Sequence, residues 1–321
     1  MRVIRDLLSN LNFRKILNIL IIAAAIVVAA IIIFRDSGTI DWTLLRFRPL
    51  FIILGYLVAT SGLLISIPVW RSMLKVFGLN AQLREDILFY NLGMLGYALP
   101  GGIWSIASRV SLYSAKSYNG SAVIIAGVLE ALITGVAGLL LYAVTTLRGK
   151  SLNLFQSPFL AIGVAVLSLI IIHPKVFSKI SSAILKKSNL TEILDLTPYK
   201  FKHLCFWIIG EAMIIILGST GLFLLLESFT PVGLSAWAAV LSAWSAANAV
   251  SALLFWVPGT PILRDGAMAL ALSTSIPLAS AIIFVVVQRI WSLVSLLLNA
   301  FIVWSIFGNP IKIHEKRDLI P

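Results

Sequence analysis

The chain has 321 residues, of which 60% are hydrophobic and 12% charged, and its mean hydropathy is +1.01. That is too little charge to cover a water-soluble surface, and the long unalternating apolar runs exclude an outer-membrane barrel. The formal net charge of +12 lies in short loops beside apolar runs, so it reads as a topology signal and an attraction for anionic head groups rather than as nucleic-acid binding.

The expected fold class is all-α: a polytopic integral membrane protein with about six transmembrane helices, two re-entrant hairpins and the outline of an inverted repeat. In the first fifteen residues Ile4, Leu7, Leu8 and Leu11 share a helical face among Arg2, Arg5, Arg14 and Lys15, which predicts an amphipathic helix on the membrane surface. Apolar runs then predict spans at Ile16–Phe34, Leu50–Trp70, Ser121–Thr146, Pro158–His173, His203–Leu226 and Leu278–Phe307. The first is too long for a signal peptide and has no small-residue cleavage site after it, so it is expected to stay as an anchor. Between the fourth and fifth spans, Val176, Phe177, Ile180 and Ile184 share a face ringed by Lys175, Lys179, Lys186 and Lys187, the pattern of an interfacial helix. The chain reads as one membrane domain over 1–321, with halves 1–173 and 203–308 joined by the basic loop 174–202.

Two apolar segments fall outside this series. Ile87–Val110 is interrupted at Pro100-Gly101-Gly102, and Leu234–Ser275 at Pro258-Gly259-Thr260-Pro261. If both are re-entrant, the first opening inward and the second outward, both termini and the loop 174–202 are cytoplasmic. Outside that side lie only Arg35, Arg46, Arg48, Arg148, Lys150, Arg264 and the intramembrane Arg289, which fits the positive-inside rule for the cytoplasmic membrane. Three arginines in the 35–49 loop run against it. The limb Leu234–Trp256 is long enough to span. Its "LSAW" recurs at a seven-residue step, so Ala236 and Ala243 return to one face where another helix can approach closely, and a lipid-facing groove is the alternative reading.

Backbone that leaves the helix inside a bilayer is tolerated only within protein or along a wet cavity. Two such breaks resemble the discontinuous helices of transporters, whose helix N-termini hold anions. The candidate binding residues are therefore Gly101, Gly102 and Gly259 at the breaks, Arg109 and Arg264 just after them, and the intramembrane Glu130, Glu211, Asp265 and Arg289. Arg109 with Glu130 and Asp265 with Arg289 read equally well as static clamps, whereas Glu211 has no partner in its own span and reads as functional or protonated. No catalytic residue and no metal ligand is assigned. Cys205 is the sole cysteine, and His173, His203 and His314 have no metal-ligand spacing. No cofactor is expected.

"LPGGIWSIASRV" at 99–110, "VLEAL" at 128–132, "VPGTPILRDGAMAL" at 257–270 and "QRIW" around Arg289 resemble motifs of the transmembrane flippase region of lysylphosphatidylglycerol synthases and their stand-alone relatives. Pro100, Gly101, Gly102, Arg109 and Glu130 match the earlier motifs. Pro258, Gly259, Arg264, Gly266 and Ala267 match the later one. Ala131 stands where the family has arginine, Thr260 where it has glycine and Asp265 where it has glutamate. The resemblance implies movement of an aminoacylated lipid across the bilayer. It does not imply its synthesis, since the chain reaches Pro321 without an aminoacyltransferase domain.

The leading expectation is thus a translocase for an anionic or phosphate-bearing lipid, with membrane lipids as partners. Arg109 and Arg264 would hold the phosphate, and the acids would set pairing or respond to protonation. The alternatives are a scaffold for a membrane-bound glycosyl- or aminoacyltransferase, a small-solute transporter, and an intramembrane enzyme. For the last, Ser105 and Ser108 qualify by location alone and read better as helix-turn caps.

Overall fold

The computed structural model describes residues 31, 47–98, 102–147, 158–187, 199–257 and 260–308, with 181–187 as backbone alone. The surface helix of the first fifteen residues, nearly all of the Ile16–Phe34 span, and Pro100, Gly101, Pro258 and Gly259 lie outside the described residues. Every described element is helical: α1 Pro49–Ser61, α2 Leu63–Val76, α3 Leu83–Met94 with a 3-10 turn Leu95–Ala98, α4 Ile103–Ser114, α5 Gly120–Thr146, α6 Pro158–Ile171, α7 Pro174–Lys187, α8 Phe201–Phe229, a 3-10 turn Leu234–Ala236, α9 Trp237–Leu253, α10 Thr260–Leu272 and α11 Leu278–Phe307. The protein is an all-α polytopic membrane protein.

Five stretches among the described residues are long and apolar enough to cross a bilayer: Pro49–Val76, Gly120–Thr146, Phe201–Phe229, Leu234–Leu253 and Leu278–Phe307. Four coincide with expected spans. The fifth is the first limb of the second hairpin. The segment predicted at Pro158–His173 is shorter than expected: α6 reaches span length only together with α7, and the two meet at a 67° bend. Pro174 sits at that corner, where its missing N–H and fixed φ suit a helix start rather than a continuation. The basic stretch 174–187 is helical, as its periodicity predicts.

In lipid no hydrophobic force drives helices together, so close approach of small residues does the work. Helix α5 is the hub, packed against α2, α4, α6, α8 and α9. A Cβ added at its Gly138 would sit 2.8 Å from the Ser245 carbonyl oxygen of α9, and one at Gly135 would sit 3.0 Å from the Ala252 Cβ. The alanine-rich limb is therefore a helix-packing face. Both tryptophans of its repeated "LSAW" turn to α8. Trp237 donates to Thr220 Oγ1 at 3.0 Å, and the Trp244 Nε1 would lie 2.9 Å from a Cβ at Gly218. Helices α1 and α8 cross at Gly55 and Gly221, where a Cβ on either would come within 2.7 Å of the other's carbonyl oxygen. Helix α11, like the α1–α2 span, is little enclosed, exposing Leu297, Phe301 and Ile306 to the lipid side.

The order of elements repeats. A span (α1–α2) leads to a broken pair (α3, α4) and a long span (α5). Later a span (α8) leads to a broken pair (α9, α10) and a long span (α11). Each second limb packs against the span that follows it, α4 on α5 and α10 on α11.

Candidate functional site

At the first break, helix α3 relaxes into a 3-10 turn, and α4 starts at Ile103. The Ser105 hydroxyl donates to the Gly102 carbonyl at 2.8 Å, a local side-chain-to-backbone bond within the first turn of α4. Gly96 lies against the backbone of Trp104 and Ser105, so the two limbs touch through a position with no side chain. At the second break the hydroxyl of Thr260 reaches back to the Leu254 carbonyl and to the Val257 carbonyl, the latter at 2.6 Å. Thr260 is 2% exposed. The threonine that departs from the resembled glycine thus offers its one hydroxyl proton to the carbonyls at the end of α9, which also accept the Val257 and Thr260 N–H groups.

The two breaks meet. A Cβ on Gly102 would lie 3.3 Å from the Phe255 Cβ and 3.5 Å from its carbonyl oxygen. Around this contact the predicted charges divide into two groups of different character.

The first group is closed. Arg109 of α4 is 1% exposed. Its Nη1 lies 2.6 Å from Glu130 Oε2 of α5. Its guanidinium carbon stands 4.1 Å from the Trp70 ring centroid and 5.3 Å from that of Tyr90. The Tyr90 hydroxyl donates to the second Glu130 oxygen at 3.2 Å. Room for the arginine comes from Gly93, where any Cβ would collide with the Arg109 side-chain carbons. Glu211 of α8 lies behind the pair, 5% exposed, with its Oε2 2.8 Å from Thr134 Oγ1. Trp70 also donates to the Tyr113 hydroxyl at 3.1 Å, and Tyr113 donates to Asp86 at 2.8 Å, which faces Arg71 at 3.2 Å. A second charge pair, buried on its Asp86 side, thus leans on the same indole.

The second group is open. Arg264 of α10 is half-buried with its guanidinium carbon 4.9 Å from the Trp244 ring centroid, and among the described residues it makes no ion pair. The neighbouring Asp265 pairs with Arg289 of α11 instead, and the Arg289 side chain is 48% exposed. Tyr97, in the turn before the first break, lies within electrostatic reach of Arg109, Glu130 and Glu211 on one side and of Arg264 on the other.

Among the described residues each hairpin is therefore tied to its following span by one ion pair with the charges interchanged: cation on α4 and acid on α5, then acid on α10 and cation on α11. Gly102 is at the meeting point of the breaks, whereas Gly101 and Gly259 lie outside the described residues. Sequence reading did not pick out Gly93, Trp70, Tyr90, Thr134 or Trp244. The aromatics and the glycine look like ordinary span residues, and only the arginine they enclose marks them. Among the described residues no group of three or more His, Cys, Asp and Glu is placed to hold a metal.

No family model, curated protein or solved structure matches the chain.

Proposed function

We propose that the protein moves a phosphate-bearing anionic lipid across the cytoplasmic membrane, with the head group held at Arg264 beside the junction of the two breaks. The carrying observation is the contrast between the two arginines. Arg109 is neutralised by Glu130 and enclosed by aromatic rings. Arg264 is half-buried against a tryptophan face and, among the described residues, makes no ion pair, the neighbouring Asp265 being taken by Arg289. A cation in such a place is costly unless an anion or water meets it. It lies one turn into α10, where the helix N-terminus adds partial positive charge. The adjoining Asp265–Arg289 pair is partly exposed on the side of the lipid-facing α11. Charges at that position favour an opening to the bilayer through which a head group can enter while its acyl chains stay in lipid.

This reading divides the roles that sequence gave jointly to the two arginines. Arg264 binds the phosphate, Arg109 holds the first hairpin, and the Gly102–Phe255 contact joins the halves. The excess of lysine and arginine in the loop 174–202 supports an orientation with that loop and both termini in the cytoplasm.

The test is leaflet exchange of a fluorescent phosphatidylglycerol in vesicles holding the full chain. Loss of a charge-assisted hydrogen bond of ~1.5–3 kcal/mol predicts that Arg264→Gln slows exchange by roughly 10- to 100-fold. Its melting temperature should stay near that of the parent, because no ion pair is lost. A folded parent protein that leaves natural and labelled anionic lipids in their original leaflet under every imposed gradient refutes the proposal. Full activity in Arg264→Gln removes the assigned ligand.

A further inference from the structure

The closed group contains one acid more than it has cations. Glu211 is 5% exposed and makes no ion pair among the described residues. Its described hydrogen bond is with Thr134, and that bond constrains where the protons lie. Thr134 Oγ1 is 2.8 Å from Glu211 Oε2 and 2.9 Å from the carbonyl oxygen of Glu130, one turn back on the same helix. A hydroxyl has a single proton, and a carbonyl can only accept. Donation to the carbonyl four residues back is the habitual arrangement for threonine inside a helix. Both short contacts are then satisfied when Thr134 donates to the Glu130 carbonyl and accepts a proton from Glu211.

Charge counting agrees. The groups whose charge reaches Glu211 are Glu130 of α5 and Arg109 of α4. Tyr90 of α3 and Tyr97 of the following turn feel Glu211 in return. Among the described residues, the other helices packed on α8 add no charged group to this set: α1, α2, α9 and α11 bring none. Arg109 and Glu130 cancel. An ionised Glu211 would leave one uncompensated negative charge at apolar depth, and a proton on it leaves none.

We infer that Glu211 is a proton-binding site linked to the Arg109–Glu130 pair, and that this linkage supplies the coupling ion of the transport cycle. When the proton leaves Glu211 for water, two carboxylates compete for one guanidinium. The clamp that fixes α4 on α5 then has an alternative partner on α8. When a proton returns from water to Glu211, Arg109 is left to Glu130 alone and the clamp closes as observed. The structural part of this inference stands on the buried cluster, and the transport part rests on the translocase reading above.

Infrared spectroscopy of the full chain in lipid nanodiscs tests it. The parent protein at neutral pH should show the carbonyl stretch of one buried protonated carboxylic acid. The band should disappear in Glu211→Gln and shift in frequency in Thr134→Val, which removes the hydrogen-bond partner without touching either acid. In Glu130→Gln the band should also vanish, because Glu211 ionises to take the orphaned Arg109. Absence of the band in the parent, or its survival unchanged in Glu211→Gln, overturns the inference. Should Glu211→Gln fail to fold, the Thr134→Val shift decides, and no shift overturns the inference. In the vesicle assay an imposed gradient of about one pH unit, tenfold in proton activity, should change parental exchange at least about threefold and leave Glu211→Gln unchanged. A sound infrared result with no lipid exchange by the parent refutes the function and leaves the proton site standing. Exchange by the parent without the infrared band does the reverse.

Discussion

The sharpest prediction concerns the Arg109–Glu130 clamp. Glu130→Gln is made in a Glu211→Gln background, so that no second carboxylate can replace the lost one. The guanidinium then stays 1% exposed with its ion-pair partner gone. Breaking a buried pair by removing one member costs about 3–5 kcal/mol, because the remaining charge is still desolvated. The Trp70 ring at 4.1 Å stays against the cation in parent and variant alike and partly compensates its charge, which puts the expectation at the low end of that range. A loss of ~3 kcal/mol is therefore the central expectation. At roughly 2–4 °C per kcal/mol, melting in mild detergent should fall by about 6–12 °C against the Glu211→Gln parent. Adding Arg109→Gln should recover part of that loss, since both charges are then gone, with a coupling energy of about 1–3 kcal/mol. A single-variant shift below ~2 °C, or losses that simply add in the double variant, would refute the clamp.

In a Cys205→Ala background, the pair Gly102→Cys and Phe255→Cys should form a disulfide under mild oxidant, because the built Cβ separation of 3.3 Å is near the range such bonds need; failure to link, seen as unchanged gel mobility, would mean that the breaks do not meet. Tyr118, in the turn between α4 and α5, donates to Glu85 at 2.6 Å, and burial together with that acceptor pushes its hydroxyl up to about 12. Because the folded value lies above the unfolded one, the contribution is complete below about pH 10 and is lost as pH rises towards about 12. Tyr118→Phe should therefore flatten the alkaline fall of the melting temperature, and an unchanged alkaline limb would contradict this.

Much of the architecture was legible because a bilayer imposes one loud rule. Apolar length alone places α1–α2, α5, α8 and α11. The failures have physical causes. Apolarity does not say where Pro174 turns the chain, so the 158–173 run looked like a complete span when α6 is short and bent into α7. The limb 234–253 is equally apolar whether it crosses the membrane or turns back, and its packing on Gly135 and Gly138 became visible only when α5 was beside it. At the site, the charged residues announced themselves by their cost in lipid. Their division of labour did not. The sequence holds Arg109 and Arg264 in similar settings after similar breaks, and what separates them is three-dimensional: a carboxylate and two rings converge on one, and a single indole on the other. Thr134 was invisible for the same reason, since its role depends on a glutamate from another helix.

Among the described residues a single ion pair ties each hairpin to its following span, but the two ties are unequal. The first is buried, at 1% and 10% side-chain exposure, and its rupture costs about 3–5 kcal/mol. The second joins Asp265 to an Arg289 that is 48% exposed, and a half-exposed pair contributes about 0–1 kcal/mol. The span behind the second tie is also the less enclosed of the two, α11 being enclosed over 22% of its most apolar window against 67% for α5. An alternating-access cycle that moves one hairpin first should therefore move α10 rather than α4. Hydrogen–deuterium exchange on the full chain in nanodiscs reads this directly: amides of 260–272 should exchange faster than those of 103–114 by roughly 10- to 100-fold, the ratio that about 1.4–2.8 kcal/mol produces. Asp265→Asn should leave that ratio almost unchanged, whereas Glu130→Gln in the Glu211→Gln background should erase it by loosening α4. Equal protection of the two helices in the parent would mean that the ion pairs do not set their mobility.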